Sequence, residues 1–113
     1  MDKFIFKYAL IDISDSTTVS LAVDLLGYQL VGIVVPTGWD AANVTFQVSV
    51  DGVFHLVTGL TLTTPTANQV TLLNTGAAAP YVIPMIVGEQ VKVVASVAQS
   101  ADRNVKLLLC KLP

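Results

Sequence analysis

Residues able to do nucleophilic or proton-transfer chemistry are few in this 113-residue chain. His55 is the only histidine and Cys110 the only cysteine. A nucleophile and its base would have to be built from His55 with Cys110 or with one of the serines, and no spacing in the chain supports such a pair. Cys110 stands in Lys106-Leu-Leu-Leu-Cys-Lys111, where it reads as a small, buried strand residue with no neighbouring base to activate it. A lone cysteine forms no internal disulfide. The carboxylates are Asp2, Asp12, Asp15, Asp24, Asp40, Asp51, Asp102 and Glu89. Two facing acids would suit glycoside hydrolysis, but most of these stand among turn residues, where Asp caps backbone amides. One His and one Cys make no zinc pattern, and neither a calcium loop nor a phosphate-binding glycine loop is present. The expectation is a protein that is not an enzyme and carries no metal or cofactor.

Trp39 is the remaining residue with recognition chemistry. In Pro36-Thr-Gly-Trp-Asp40 it either closes one end of the fold or stands on a loop, where it could anchor a subunit or stack on a sugar ring.

The elements that must position these residues are strands. In Val44-Thr-Phe-Gln-Val-Ser-Val-Asp-Gly-Val-Phe-His-Leu-Val57, two apolar alternations flank Asp51-Gly52, a β-hairpin signature. A two-residue turn would put Phe54 opposite Ser49 and Leu56 opposite Gln47, large apolar groups on the polar face. A three-residue loop, Val50-Asp51-Gly52 with Gly52 left-handed, instead pairs Val48 with Phe54 and Phe46 with Leu56. That register predicts Val44, Phe46, Val48, Phe54 and Leu56 on one face and His55 beside Gln47 on the other.

Further strands are predicted at 3–11, 18–25, 28–35, 60–63, 69–73, 81–86, 90–99 and 104–112, separated by Gly, Pro, Asn and Asp clusters. The last two are expected to form a second hairpin. Both are apolar on one face and half-apolar on the other, which suits a strand central in a two-layer stack or one touching another subunit. Gly32, inside Tyr28-Gln-Leu-Val-Gly-Ile-Val-Val35, predicts a close backbone approach. No long helical period is visible. The expected fold is a single all-β domain over residues 1–113, an antiparallel β-sandwich or jelly roll, with residues 1–15 as an edge strand or an arm exchanged between copies.

Composition bears on function. Charged residues are 12% of the chain against roughly 25% in ordinary domains, and none lies between Gly52 and Gly88. A surface so poor in charge is expected to be partly covered by other subunits. A net charge of −2 with no basic run argues against nucleic acid as a partner. The longest apolar run, Gly76 to Gly88, is broken by Pro80 and Pro84, so neither a membrane span nor a secretory leader is expected. Synthesis in a host cytoplasm follows. Asn43-Val-Thr45 matches a glycosylation sequon and reads as chance without a leader.

The segment from Val23 to Gly52, with Leu30-Val-Gly-Ile33, Pro36, the Trp39 loop, Thr45-Phe-Gln47 and Ser49-Val-Asp-Gly52, resembles small proteins encoded among the structural genes of tailed bacteriophages. Ser100-Ala-Asp-Arg-Asn-Val-Lys-Leu-Leu108 is similar to the ending of those proteins. A fainter similarity, through the Ser-x-Asp-Gly turn and Phe54, is to galactose-binding-like sandwiches such as discoidin domains, although the chain lacks the paired cysteines of many of them and is shorter. The first resemblance implies a virion component, a capsid decoration or cement subunit whose partners are the major capsid protein and copies of itself, as a homotrimer. Its expected contact residues are Phe4, Phe6, Tyr8, Trp39, Tyr81, Ile83 and Met85. The alternative is a glycan- or receptor-binding module of a tail or head fibre, or an adaptor at the neck or fibre base.

Overall fold

The hairpin at Asp51-Gly52 is the closed end of a long antiparallel ribbon rolled into two sheets. The computed structural model describes residues 5–73 and 86–111. Its strands are β1 (Ile5–Ile13), β2 (Val23–Asp24), β3 (Gln29–Val34), β4 (Val44–Ser49), β5 (Phe54–Leu56), β6 (Thr71–Leu72), β7 (Gln90–Ala95) and β8 (Arg103–Lys111). β4 pairs with β5, β3 with β6, β2 with β7 and β1 with β8, each pair nested inside the next. The pairs β3–β8 and β4–β7 then close two four-stranded sheets, β1-β8-β3-β6 and β2-β7-β4-β5. All pairings are antiparallel, no helix occurs among the described residues, and the sheets form a sandwich with jelly-roll strand order.

Alternation sets the core. Ile11 and Ile13 of β1, Val105, Leu107 and Leu109 of β8, and Ile33 of β3 face Phe46, Val91 and Val93 of the other sheet, all essentially without solvent contact. Burying each such side chain contributes about 1.5–3 kcal/mol. β1 therefore extends to Ile13, beyond the expected end at Ile11, because its last two inward positions are core.

Two expectations are corrected. The final strands do not form a hairpin: β7 lies in one sheet and β8 in the other, joined by a crossing over residues 96–102. Their alternation is that of central strands in opposite layers, flanked by β2 and β4 and by β1 and β3 respectively. The first hairpin also takes the register that face-matching disfavours, with Ser49 opposite Phe54, Val48 opposite His55 and Gln47 opposite Leu56. Phe54 and Leu56 consequently share the outer face with Gln47, and His55 shares the face of Val48. β5 is only three residues long and lies at a sheet edge, so its side chains reach past the core whichever way they point. Phe54 is compensated by Lys92, whose ammonium lies 4.2 Å from the ring centroid. The turn itself is held from outside the strands: Val53 N–H donates to Asp51 Oδ1 at 3.1 Å, and Gly52 N–H, at φ +84°, donates to Glu89 Oε1 at 3.3 Å.

The strands predicted at 18–25 and 60–63 shorten. Of residues 18–25, Val23–Asp24 are strand, and Ser20 continues the edge with its side chain: its N–H donates to Val93 O, and its hydroxyl accepts from Val93 N–H at 2.8 Å. Of residues 60–63, Leu62 bridges Val44; of the expected strand at 81–86, residues 81–85 lie outside the described residues, and Ile86 bridges Leu30.

Candidate functional site: the outer face of the β1 sheet

Three of the four outward positions on β1 are large and apolar. Phe6, Tyr8 and Leu10 are 69, 62 and 52% exposed, and Asp12 follows them on the same face. Registration continues this surface across the sheet. Tyr8 stands opposite Leu108, Leu108 opposite Gly32, and Gly32 opposite Leu72, so one row crosses all four strands. A Cβ on Gly32 would lie 3.0 Å from Thr71 O, 3.3 Å from Leu108 Cδ1 and 3.4 Å from Leu72 Cδ2. The close backbone approach expected at this glycine is made by β6, and the two leucines close over the space a side chain would fill. Lys106 covers Tyr8, its ammonium 5.0 Å from the ring.

On this outer face the cation–aromatic contact is that of Lys106 with Tyr8, whereas Lys7 and Lys111 stand at inner-face positions of β1 and β8. Lys7 and Lys111 both lie over the Tyr28 ring, at 4.2 and 4.7 Å. Every lysine among the described residues is thus placed on an aromatic ring, and the described ion pairs involve only His55 with Asp51 and Arg103 with Asp40. Rings that would otherwise be bare apolar surface are rimmed by ammonium groups, an arrangement able to adhere to an apolar partner with a carboxylate border.

At the end of the sandwich where the sheets exchange strands, the Trp39 loop meets the segment from Gln99 to Arg103. Pro36 to Trp39 forms a turn closed by Trp39 N–H to Pro36 O at 3.2 Å, with Gly38 at φ +86°, the position that a type II turn reserves for glycine. Trp39 is half-buried and packs on the core, and its Nε1–H is buried without an acceptor. The next residue is bound tightly. Asp40 N–H donates to Oε1 of buried Gln99 at 2.9 Å, Gln99 Nε2 donates back to Asp40 O at 3.2 Å, and Ser100 N–H donates to Asp40 Oδ2 at 2.5 Å. Arg103 Nη2 lies 3.5 Å from the same carboxylate oxygen. The Ser100 hydrogen bonds, with Arg103 secondary, hold the Asp40 carboxyl below its ordinary range. Asp15 N–H to Asp102 Oδ1 at 2.7 Å and Ser16 N–H to Gln99 O at 2.8 Å tie the β1–β2 loop to the same knot.

Beside this knot a cleft of about 300 Å³ is lined by Asp12, Ile13, Ser14, Leu21, Asp102 and Asn104. Its two carboxylates come without a histidine or a further acid, and no group of three or more His, Cys, Asp or Glu able to hold a metal occurs among the described residues. His55 and Cys110 lie on different sheets. His55 instead caps the hairpin, with Nε2 3.2 Å from Asp51 Oδ1; the Val53 N–H first, and then that contact, hold the Asp51 carboxyl down.

Of the expected contact residues, the structure puts Phe6 and Tyr8 on one exposed face and Trp39 at the crossover end, half-buried. Phe4, Tyr81, Ile83 and Met85 lie outside the described residues. Leu10, Leu72 and Leu108 belong to the exposed face and were not expected there. The alternation of β1 past Tyr8 was the available signal for Leu10, whereas Leu72 joins only through the β3–β6 pairing. The chain matches no protein-family model, no curated protein and no solved structure.

Proposed function

We propose that this chain is a non-enzymatic structural subunit of a tailed-phage virion, a decoration or cement protein that bridges neighbouring copies of the major capsid protein. The observation carrying this reading is the apolar outer face of the β1 sheet, with Tyr8 and Leu10 on β1, Leu108 on β8 and Leu72 on β6, in a protein short of charge. Monomeric proteins rarely leave such a face open. A stable contact removes about 800 Å² per partner from water, and a subunit laid across two capsid proteins adds surface that must be re-exposed before the shell can separate. Sequence likeness to phage structural proteins supports the same reading, and jelly rolls serve in viral capsids as well as in lectins.

The lectin branch corresponds to the alternative, a glycan-binding module of a fibre. Its requirement is an open aromatic ring near loops, and Trp39 is half-buried against the core, so the adhesive-face reading is preferred.

Mass-spectrometric quantitation in purified virions against the major capsid protein tests the proposal. Hundreds of copies per particle are expected. A few copies would move the protein to neck, tail or fibre, and recovery only from lysate, never from particles, would end the virion reading.

A further inference from the structure

We propose that Asp51 is a site of spontaneous covalent modification, where its carboxyl closes on the Gly52 nitrogen to a succinimide that reopens as isoaspartate, and that Glu89 restrains the reaction by holding the Gly52 N–H. The inference goes beyond the virion reading and does not depend on it.

The residues that make the hairpin turn also make the reactive pair. Gly52 lies at φ +84°, where a side chain would be strained. Aspartate is favoured beside it because its carboxylate caps backbone amides, and Asp51 Oδ1 accepts from Val53 N–H at 3.1 Å. Those two choices open the main chain to attack by its own side chain. Glycine has no Cβ to shield its nitrogen, and the Asp51 carboxyl carbon and that nitrogen complete a five-membered ring, so the reaction has the advantage of proximity. Asp51 is the only aspartate in the chain followed by glycine.

The surroundings leave room for the ring. The Asp51 side chain is 59% exposed, and a Cβ on Gly52 would meet no atom within 4 Å beyond its chain neighbours. The turn leads into β5, three residues at a sheet edge, so it can change shape without disturbing the core. Asp40 and Asp102 differ in both respects. Asp40 is held by Ser100 N–H beside Arg103, Asp102 accepts from Asp15 N–H, and the nitrogens that follow them belong to Ala41 and Arg103, which carry side chains.

The step needs water alone. The Gly52 nitrogen bonds to Cγ of the protonated Asp51 carboxyl, and the nitrogen's proton leaves with the acid's hydroxyl as water. Water then adds to one of the two ring carbonyls. Breaking the N–Cγ bond restores aspartate, whereas breaking the bond from N to the Asp51 main-chain carbonyl carbon leaves the chain running through Cγ as isoaspartate. One water is lost and one regained, so the mass is unchanged. Glu89 stands against the first step. Gly52 N–H donates to Glu89 Oε1 at 3.3 Å from 37 positions away in the chain. The carboxylate's charge disfavours loss of the nitrogen's proton, and the hydrogen bond resists rotation of the peptide toward Cγ. Glu89 presents its side chain from a fixed backbone, with its N–H on Ser49 O at 2.7 Å and its carbonyl accepting from Leu25 N–H at 2.9 Å.

The test is to hold the full chain warm at neutral pH for weeks and digest samples with an endoproteinase that cleaves before aspartate but not before isoaspartate. Mass spectrometry should show the fragment from Asp40 to Ala101, uncut at position 51, growing with time above its level in the fresh sample. Labelling by an isoaspartate-specific methyltransferase should rise in step and be absent from Asp51→Glu, whose longer side chain cannot close a five-membered ring. Glu89 is exposed, so Glu89→Ala should keep the circular dichroism spectrum and convert about two- to tenfold faster, the weight of one net hydrogen bond. Should Glu89→Ala fail to fold, Glu89→Gln, which removes the charge at the same length, must also convert faster. Absence of conversion at Asp51 in both the unmodified chain and the folded Glu89 variant overturns the proposal. An unchanged rate in that variant overturns the role of Glu89, as does a slower one, which would make its carboxylate a base that assists the attack.

Discussion

Gln99 is the polar side chain on which the crossover end depends. It is 1% exposed, accepts from Asp40 N–H, and donates to the carbonyls of Asp40 and Val97. Gln99→Leu keeps the bulk and leaves those backbone groups without partners, at about 1–3 kcal/mol for each buried group. Allowing for partial access to water, a loss of about 2–3 kcal/mol is expected, read as a lower urea midpoint at unchanged slope. Trp39 predicts the opposite sign of surprise. Its buried Nε1–H has no acceptor, so Trp39→Phe discards an unsatisfied donor along with some contact area and should change stability by less than about 1 kcal/mol. Asp40 sets a pH dependence. Its carboxyl titrates below its unfolded value, chiefly through the Ser100 N–H. The stability it contributes is therefore present above the unfolded carboxylate range, near pH 4, and is lost as pH falls through the lower folded value. Asp40→Asn should flatten the acid limb of stability against pH while leaving its neutral-pH slope unchanged.

At the scale of elements, the β4–β5 hairpin separates pattern from position. Phe46 and Phe54 look equivalent in the sequence, each in an alternating run beside the same turn. Phe46 has no solvent exposure, whereas Phe54 lies on the outer face beneath Lys92. Phe46→Ala should cost about 3–5 kcal/mol. Phe54→Ala should cost only about 1 kcal/mol, the size of an exposed cation–π contact with some covered area. Equal losses in chemical denaturation would restore the three-residue-loop register. Sequence alternation failed here because a short edge strand has little core to satisfy, and the turn's hydrogen bonds to Asp51 and Glu89 outweigh the choice of face. The β7–β8 misassignment has a different cause. Adjacent strands usually pair, but in a rolled ribbon the last strand pairs with the first.

Across the whole molecule, polarity is arranged more unevenly than the composition implies. The crossover end is dense in hydrogen bonds, while the outer face of the β1 sheet is apolar, with Lys106 over the Tyr8 ring. Adhesion and stability are thus assigned to different places. A charge placed at Leu72, on the outer face and half exposed, should leave the melting temperature within a few degrees. If this face grips the capsid, Leu72→Glu should sharply reduce the protein recovered on particles in a sedimentation assay. Normal occupancy by a folded Leu72→Glu variant would remove this face from the contact.

The sequence by itself determined the strand-forming segments, the turn at Asp51-Gly52 with its left-handed glycine, the close approach at Gly32 and the all-β class. These are local properties, since alternation has a period of two and a positive φ selects its residue wherever the chain goes. Tertiary structure decided which strands share a sheet, which of two apolar faces becomes core, and how Trp39-Asp40 meets Gln99-Ser100 across 59 positions of chain. Those outcomes depend on pairings between β1 and β8, or β2 and β7, whose partners lie far apart in sequence. No local pattern encodes them, because their register is set by the closure of the whole roll around one shared core.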